Sequence, residues 1–446
     1  MLTHRAYYGW ITDLAARAQY GPWPAMHLDE SLLADYEESF ALQQRLGLDV
    51  SVIWGLLVSR EWPVDVPAGI PAQRLDQVRR LLAAAHQRGI RVLAGLGVYS
   101  WGFEEIIRAH PTLSAGNPQA LCASNPESWE WQQRVIDATL TLAGVAGIAP
   151  QSADQKRCPC PRCAGWGDME YHARLNNRVT AYVKSRWPDK LVAVNTWGIS
   201  TEDPADLPHL VEMARGADVF IDVFSGVTHR DAGYRRRVVV ALDEIGVAYG
   251  SHGGVCVRPP QHWQRYRWFI PTLREPARHV AELVADGGRA TETFNRVPAN
   301  PGDEVSLWVH AHVVREPSRP VEAILDGVLD ELYRPRSAAA REGLAALFLE
   351  GERAFFERWR SPRKGLPIYL ETLGADRPGE PQYVTRHMAP EALPGYERDL
   401  VALRAEVDRL VPEVESREKL SLVGHCIDGA LGDVAHAVRQ VPRASA

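Results

Sequence analysis

The stretch QSADQKRCPCPRC, from Gln151 to Cys163, holds the densest chemistry in the chain: a lone carboxylate, Asp154, closes an apolar run, and three thiols then fall within six residues. Cys158, Cys160 and Cys163 stand too close together to pair comfortably as disulfides, but as thiolates they can converge on one tetrahedral ion. A structural zinc site takes four ligands, so Cys122 in ALCASNPE is expected as the fourth, with His172 as the fallback. A thiolate-filled site leaves no open position for water, which makes the expected Zn2+ structural, with free thiols as the alternative. The other two of the six cysteines, Cys256 and Cys426, read as buried, unreactive thiols.

Chemistry of this kind needs a scaffold that presents scattered groups on one face. From residue 4 to about 297 the chain alternates short apolar, β-branched runs with amphipathic segments, the pattern of a parallel sheet with helical crossovers. The strand candidates are RAYYGWI, DVSVIWG, RVLAGLGVY, GIAPQSA, LVAVNTW, DVFIDVF, VAYGSHG and RATETFN, most of them following a helix that ends near a glycine such as Gly47, Gly89, Gly216, Gly246 or Gly288. Eight such units predict an α/β fold, a (βα)8 TIM barrel over residues 1–297. An open doubly wound sheet is the rival, but no Gly-rich phosphate loop follows the first strand. Beyond Pro298 the strand pattern stops, and residues 298–446 read as a C-terminal helical domain in which 361–395 is a loop.

Barrel enzymes work at the C-terminal ends of their strands. That filter retains Asp13, Trp54, Arg60, Tyr99, Trp101, Asp154, Asn195, Trp197, His252, Arg258, Glu292, Asn295 and Arg296. Carboxylates among tryptophan, tyrosine, asparagine and histidine make a carbohydrate inventory, in which flat rings cover sugar faces and amides and acids bind hydroxyls. Glycosidic hydrolysis needs one carboxyl to protonate the leaving oxygen and another to attack the anomeric carbon or activate water, and Asp154 and Glu292 are the preferred pair. Trp54, Trp101 and Trp197 would be stacking platforms. Asn195, His252 and Arg258 would hold hydroxyls or a carboxylate, with Tyr99 and Asp13 as further substrate contacts, although Asp13 could equally cap a short helix. Asp222, inside VFIDVF, is a polar group near the site if it points into the barrel and a satisfied core group if it does not. Asp243 and Glu244 end a helix before Gly246, on the opposite face of the barrel, and are discounted.

Bulk properties narrow the partners. The chain has 446 residues, 46% hydrophobic and 24% charged, with a net charge of -6, which leaves no basic footprint for nucleic acid or an anionic membrane. The N-terminus lacks a basic and then apolar leader, no run is long enough to span a bilayer, and the thiol cluster suits a reducing compartment, so a cytoplasmic location is expected. Apolar stripes on the C-terminal helices suggest a homodimer.

The run from LCASNPESWEW through QSADQKRCPCPRC and on to LVAVNTW resembles bacterial barrel proteins known only as glycoside-hydrolase-like domains of unknown function. These are distantly similar to α-glucuronidases and β-hexosaminidases. NPGDEVSLWVHAHVVREPSRPVEAILDGVLDELY is similar to the helical extension that follows the barrel in that group. The resemblance implies a glycoside hydrolase with a mouth acid after the fourth strand, here Asp154. One departure is that β-hexosaminidases carry an adjacent Asp-Glu pair there, whereas Asp154 is followed by Gln155, which weakens substrate-assisted chemistry. A small carbohydrate is thus the expected substrate, and the alternatives are a non-hydrolytic sugar-binding barrel or a sugar isomerase or lyase.

Overall fold

A computed structural model describes residues 2–11, 28–152, 157–223, 232–252, 268–294, 300–359 and 388–440. Eight parallel strands close into a barrel in sequence order, β1 (His4–Trp10), β2 (Val50–Trp54), β3 (Arg91–Gly97), β4 (Val145–Gln151), β5 (Leu191–Asn195), β6 (Val219–Asp222), β7 (Ala248–His252) and β8 (Ala290–Phe294). Closure comes from β1 against β8, with Ala6 opposite Glu292 and Tyr8 opposite Phe294. Helices α1 (Glu30–Leu46), α2 (Ala72–Gln87), α3 (Glu104–Ala109), α4 (Pro126–Leu140), α5 (Pro161–Ala164), α6 (Asp168–Arg186), α7 (Leu207–Ala214) and α8 (Ala232–Glu244) lie between the strands. The helices start where local chemistry says they should. Asp29 caps α1 by accepting the Leu32 N–H, Asn125 caps α4 by accepting that of Glu127, and Gly47 ends α1 at φ 70°, a conformation that only glycine adopts cheaply.

Inside the barrel, alternate residues of each strand meet. Ala6 and Tyr8, Val50, Val52 and Trp54, Leu93, Ala149, Ala193, Val219 and Ile221, and Ala290 form one buried cluster. Small residues dominate it toward the bottom, and aromatic ones take over toward the strand ends. That taper leaves room for a polar layer at the top, built by the inward residues of the same parity.

The described residues fall into two compact units, and the second is helical throughout. It contains the start of α9 (Arg274–Ala285), then α10 (Pro301–Arg315), α11 (Val321–Tyr333), α12 (Ala338–Arg353), α13 (Leu393–Leu410) and α14 (Arg417–Gln440). Asn300 caps α10 through the N–H groups of Gly302 and Asp303, and Ser337 caps α12. The segment GYERDLVALRAEVDRLVPEVESREKLSLVGH, residues 395–425, reads in sequence as one helix, but the structure breaks it into α13 and α14 at a 3-10 turn over Val411–Glu413, because Pro412 has no N–H to continue the ladder. Glu352 is buried in this unit, and its Oε1 accepts the backbone N–H groups of Leu273 and Arg274 at the start of α9. No helix among the described residues is long and apolar enough to cross a membrane.

Candidate active site at the barrel mouth

Glu292 is inward on β8 and entirely buried. Its Oε2 accepts a hydrogen bond from Asn195 Nδ2 at 3.2 Å, and His252 Nδ1 lies 3.5 Å from the same oxygen. Oε1 has no hydrogen-bond partner among the described residues. Asn195 is itself locked, since its Oδ1 accepts the Trp197 N–H at 2.7 Å. The His252 ring stands edge-on to both Tyr8 (5.4 Å between centroids) and Trp197 (5.5 Å). Tyr8 OH then donates to Gln151 Oε1 at 3.0 Å, a bond that crosses from the first strand to the fourth. Five strands, β1, β4, β5, β7 and β8, thus bring one polar side chain each into a contiguous layer at the mouth.

The aromatic wall comes from β2 and the turn after β3. The Trp54 indole lies against Gly95, where an added Cβ would meet the ring at 2.4 Å, so only glycine lets the ring lie flat there. Tyr99 and Trp101 both have left-handed backbones, at φ 59° and 68°, costly for non-glycine residues and a kind of strain that collects at functional sites. The turn delivers Trp101 to within 5.8 Å of Trp54. It sends Tyr99 the other way: its OH accepts from Arg178 of α6, its N–H donates to Gln132 of α4, and its ring stacks on Trp129. Tyr99 therefore braces the helices behind the turn instead of facing the mouth as a substrate contact. A cavity of about 60 Å³ opens between Trp54, Arg60, Trp62, Trp101 and Glu104, and burial raises the Glu104 carboxyl above its ordinary range.

Asp222 follows the inward Ile221 and so points out of the barrel, where it accepts from Thr201 Oγ1 at 2.9 Å and Tyr249 OH at 3.1 Å. It is a satisfied core group. Asp243, at the end of α8, pairs with Arg289 ahead of β8. Asp13, Asp154, Arg258, Asn295 and Arg296 lie outside the described residues. Tyr8 and Gln151 escaped the sequence filter, because the expected strands RAYYGWI and GIAPQSA ran past them; inward parity with Ala6 and Ala149 was the signal that could have found them.

The thiols converge. Sulfurs of Cys122, Cys158, Cys160 and Cys163 all lie within 4.8 Å of one another, a set able to hold a metal ion, and none is in a disulfide. Cys122 and Cys160 are 3.7 Å apart, and the Cys163 N–H donates to Cys160 Sγ at 3.3 Å. Ser124 Oγ sits 3.2 Å from Cys122 Sγ and 3.3 Å from Cys160 Sγ. Its hydroxyl is the main reason the Cys160 thiol falls to about 6, while burial pushes Cys158 and Cys163 up. His172 is elsewhere: its Nδ1 pairs with Ser152 Oγ at 3.0 Å, and burial lowers it to about 4. Cys122 completes the group of four sulfurs, and His172 is not part of it.

No protein-family model matches this sequence, and no curated protein matches it. Solved structures do match in fold. CpGH84B aligns with a TM-score of 0.52 and 11% identity over 98% of this chain and 68% of that one. A mutant of the O-GlcNAc hydrolase of Thermobaculum terrenum aligns with a TM-score of 0.50 and 12% identity over 98% and 87%. The likeness to both is one of barrel fold. At such identity the likeness reaches the fold and stops short of any residue's role.

Proposed function

We propose that the chain is a glycoside hydrolase cleaving oligosaccharides or small glycosides at the barrel mouth, with Glu292 as nucleophile or base and Asp154 as general acid. The observation that carries this reading is Glu292. A buried carboxylate oxygen without a donor costs on the order of 1–3 kcal/mol or more, and such a cost is borne where chemistry needs the group. Asn195 and His252 hold one oxygen and leave the other uncommitted. That free oxygen would attack the anomeric carbon, or take a proton from water, as Asp154 passes its proton to the departing glycosidic oxygen. Trp54, Trp101 and Trp197 serve as platforms for sugar faces, and Asn195, His252, Asp13 and Arg258 hold hydroxyls or a carboxylate. Tyr99 enters only as a strut behind Trp101.

Zinc is proposed for Cys122, Cys158, Cys160 and Cys163, because four converging thiolates suit a closed tetrahedral ion with a structural role. It would bind thiolates on the loops after β3 and β4 and take no part in bond cleavage. A reduced cluster of this kind fits a cytoplasmic setting.

Asp154→Asn and Glu292→Gln test the pair. Each keeps shape and removes a proton donor or a charge, an effect worth ~10² to 10⁴ in rate for acid–base catalysis. Glu292→Gln should lose heavily on activated aryl glycosides and natural glycosides alike, while Asp154→Asn should lose less on the activated ones, whose leaving group needs little protonation. If both variants keep the parent's rate, the pair is wrong. Sugar binding by a parent that turns over no glycoside would make this a non-hydrolytic sugar-binding barrel.

A further inference from the structure

We infer that Gln151 is a substrate-facing hydrogen-bond donor of the mouth, aimed at a sugar hydroxyl and held in that orientation by Tyr8. This rests on the reading of the mouth as a sugar site and adds a specificity residue to it. Gln151 is the last residue of β4, inward by parity with Ala149, at the strand end where barrel ligands bind. Its carbonyl oxygen is taken by Tyr8 OH at 3.0 Å. Its Nε2, with two N–H donors, makes no hydrogen bond to the described residues. An amide whose oxygen is occupied can offer its surroundings only donors.

The orientation is held at both ends. Gln151 O accepts the Val98 N–H at 2.8 Å, and the next residue, Ser152, is fixed by Asn176 Nδ2 at 2.7 Å and His172 Nδ1 at 3.0 Å. The Tyr8 ring packs against both His252 and Trp197, which also touch each other, so the phenol cannot swing away from the amide without giving up both contacts. Complementarity adds a reason. Glu292, His252, Tyr8 and Gln151 form one connected row across the mouth, with an uncommitted acceptor at one end and an uncommitted donor at the other. A ring carrying several hydroxyls, each both donor and acceptor, suits such a row, and a neutral donor adds no charge beside the carboxylate.

Gln151→Glu is the decisive variant, because its carboxylate still accepts the Tyr8 hydrogen bond but has no donor to offer. Calorimetry would measure the affinity of purified full-length protein for whichever of glucose, galactose, mannose or N-acetylglucosamine the parent binds best. Gln151→Glu should weaken it about tenfold, the worth of one lost hydrogen bond plus an acceptor set against an acceptor. Gln151→Met, an apolar near-isostere, should weaken it similarly and covers the case in which the glutamate fails to fold. Tyr8→Phe should weaken it about threefold in the parent and not at all in the Gln151→Glu background, a non-additivity that a merely structural tyrosine would not give. Unchanged affinity in folded Gln151→Glu or Gln151→Met overturns the inference while leaving the sugar site standing. A parent that binds none of the four sugars brings down the sugar reading and this inference with it.

Discussion

Removing one sulfur from the thiolate cluster is the sharpest perturbation the structure offers. A tetrahedral ion with metal–sulfur bonds of about 2.3 Å has sulfur–sulfur edges of about 3.8 Å. Cys122 and Cys160 already stand 3.7 Å apart, and no pair in the set exceeds 4.8 Å, so binding asks for a contraction and no rearrangement. The clip joins residues 38 apart in sequence. Treated as a cross-link, a loop of that length restricts the unfolded chain by about 4 kcal/mol. For a domain of 150–250 residues each kcal/mol is worth about 2–4 °C, so Cys122→Ser, or metal removal by a strong chelator, should lower the barrel's melting temperature by roughly 8–16 °C. Elemental analysis of protein purified without added metal should give one zinc per chain, and cobalt exchanged into the site should show thiolate-to-metal absorption that Cys122→Ser weakens. Metal-free native protein whose melt ignores the chelator would refute the reasoning, as would a crystal structure with two of these sulfurs about 2 Å apart, since that is a disulfide.

Burial raises the Glu352 carboxyl to about 7, so it stays protonated in the fold while the unfolded chain ionises near 4.5. Stability should therefore fall as pH rises from about 4.5 to 7, and Glu352→Gln, measured by denaturation at pH 4.5 and 8, should gain up to ~3 kcal/mol on the parent at the higher pH only. An equal effect at both pH values would show that the charge is not what matters. Gly95→Ala should destabilise the barrel by about 1–3 kcal/mol in urea, because the new methyl meets the Trp54 ring at 2.4 Å; an unchanged midpoint would mean that the indole yields freely. Val401 on α13 and Leu422 on α14 are exposed apolar side chains, and light scattering at micromolar concentration should give twice the mass of one chain, a single-chain mass excluding the homodimer.

Fold class was legible because eight runs of alternating character leave few topologies, and each strand candidate falls on or within a residue or two of an observed strand. The thiol cluster was legible for a different reason: three of its members are fixed by local spacing, and the fourth was the cysteine nearest in the barrel's order. What sequence hid was side-chain direction. Tyr99 follows β3 just as a mouth residue should, but a left-handed backbone at a tyrosine is set by the surrounding packing and has no local signature. Tyr8 and Gln151 were passed over because the expected first and fourth strands ran on to Ile11 and Ala153 and so placed both short of the strand end, whereas the polar layer sits within the last few residues of the strands themselves. Asp222 could be resolved only once Ile221 was seen to face inward.

The closure of β1 on β8 has a consequence for how the molecule comes into being. Thr3 bonds Arg289 across 286 residues, and the mouth layer spans nearly the same separation, from Tyr8 to Glu292. Such long-range contacts repay their loop entropy only late, which makes folding slow and leaves strand edges open meanwhile. On a ribosome, the first seven strands can emerge with every residue of the row in place except its carboxylate. A nascent chain shorter than β8 would hold Tyr8, Gln151, Asn195 and His252 without Glu292, so no ligand of that row can template the fold, and binding competence should arrive abruptly with the last strand.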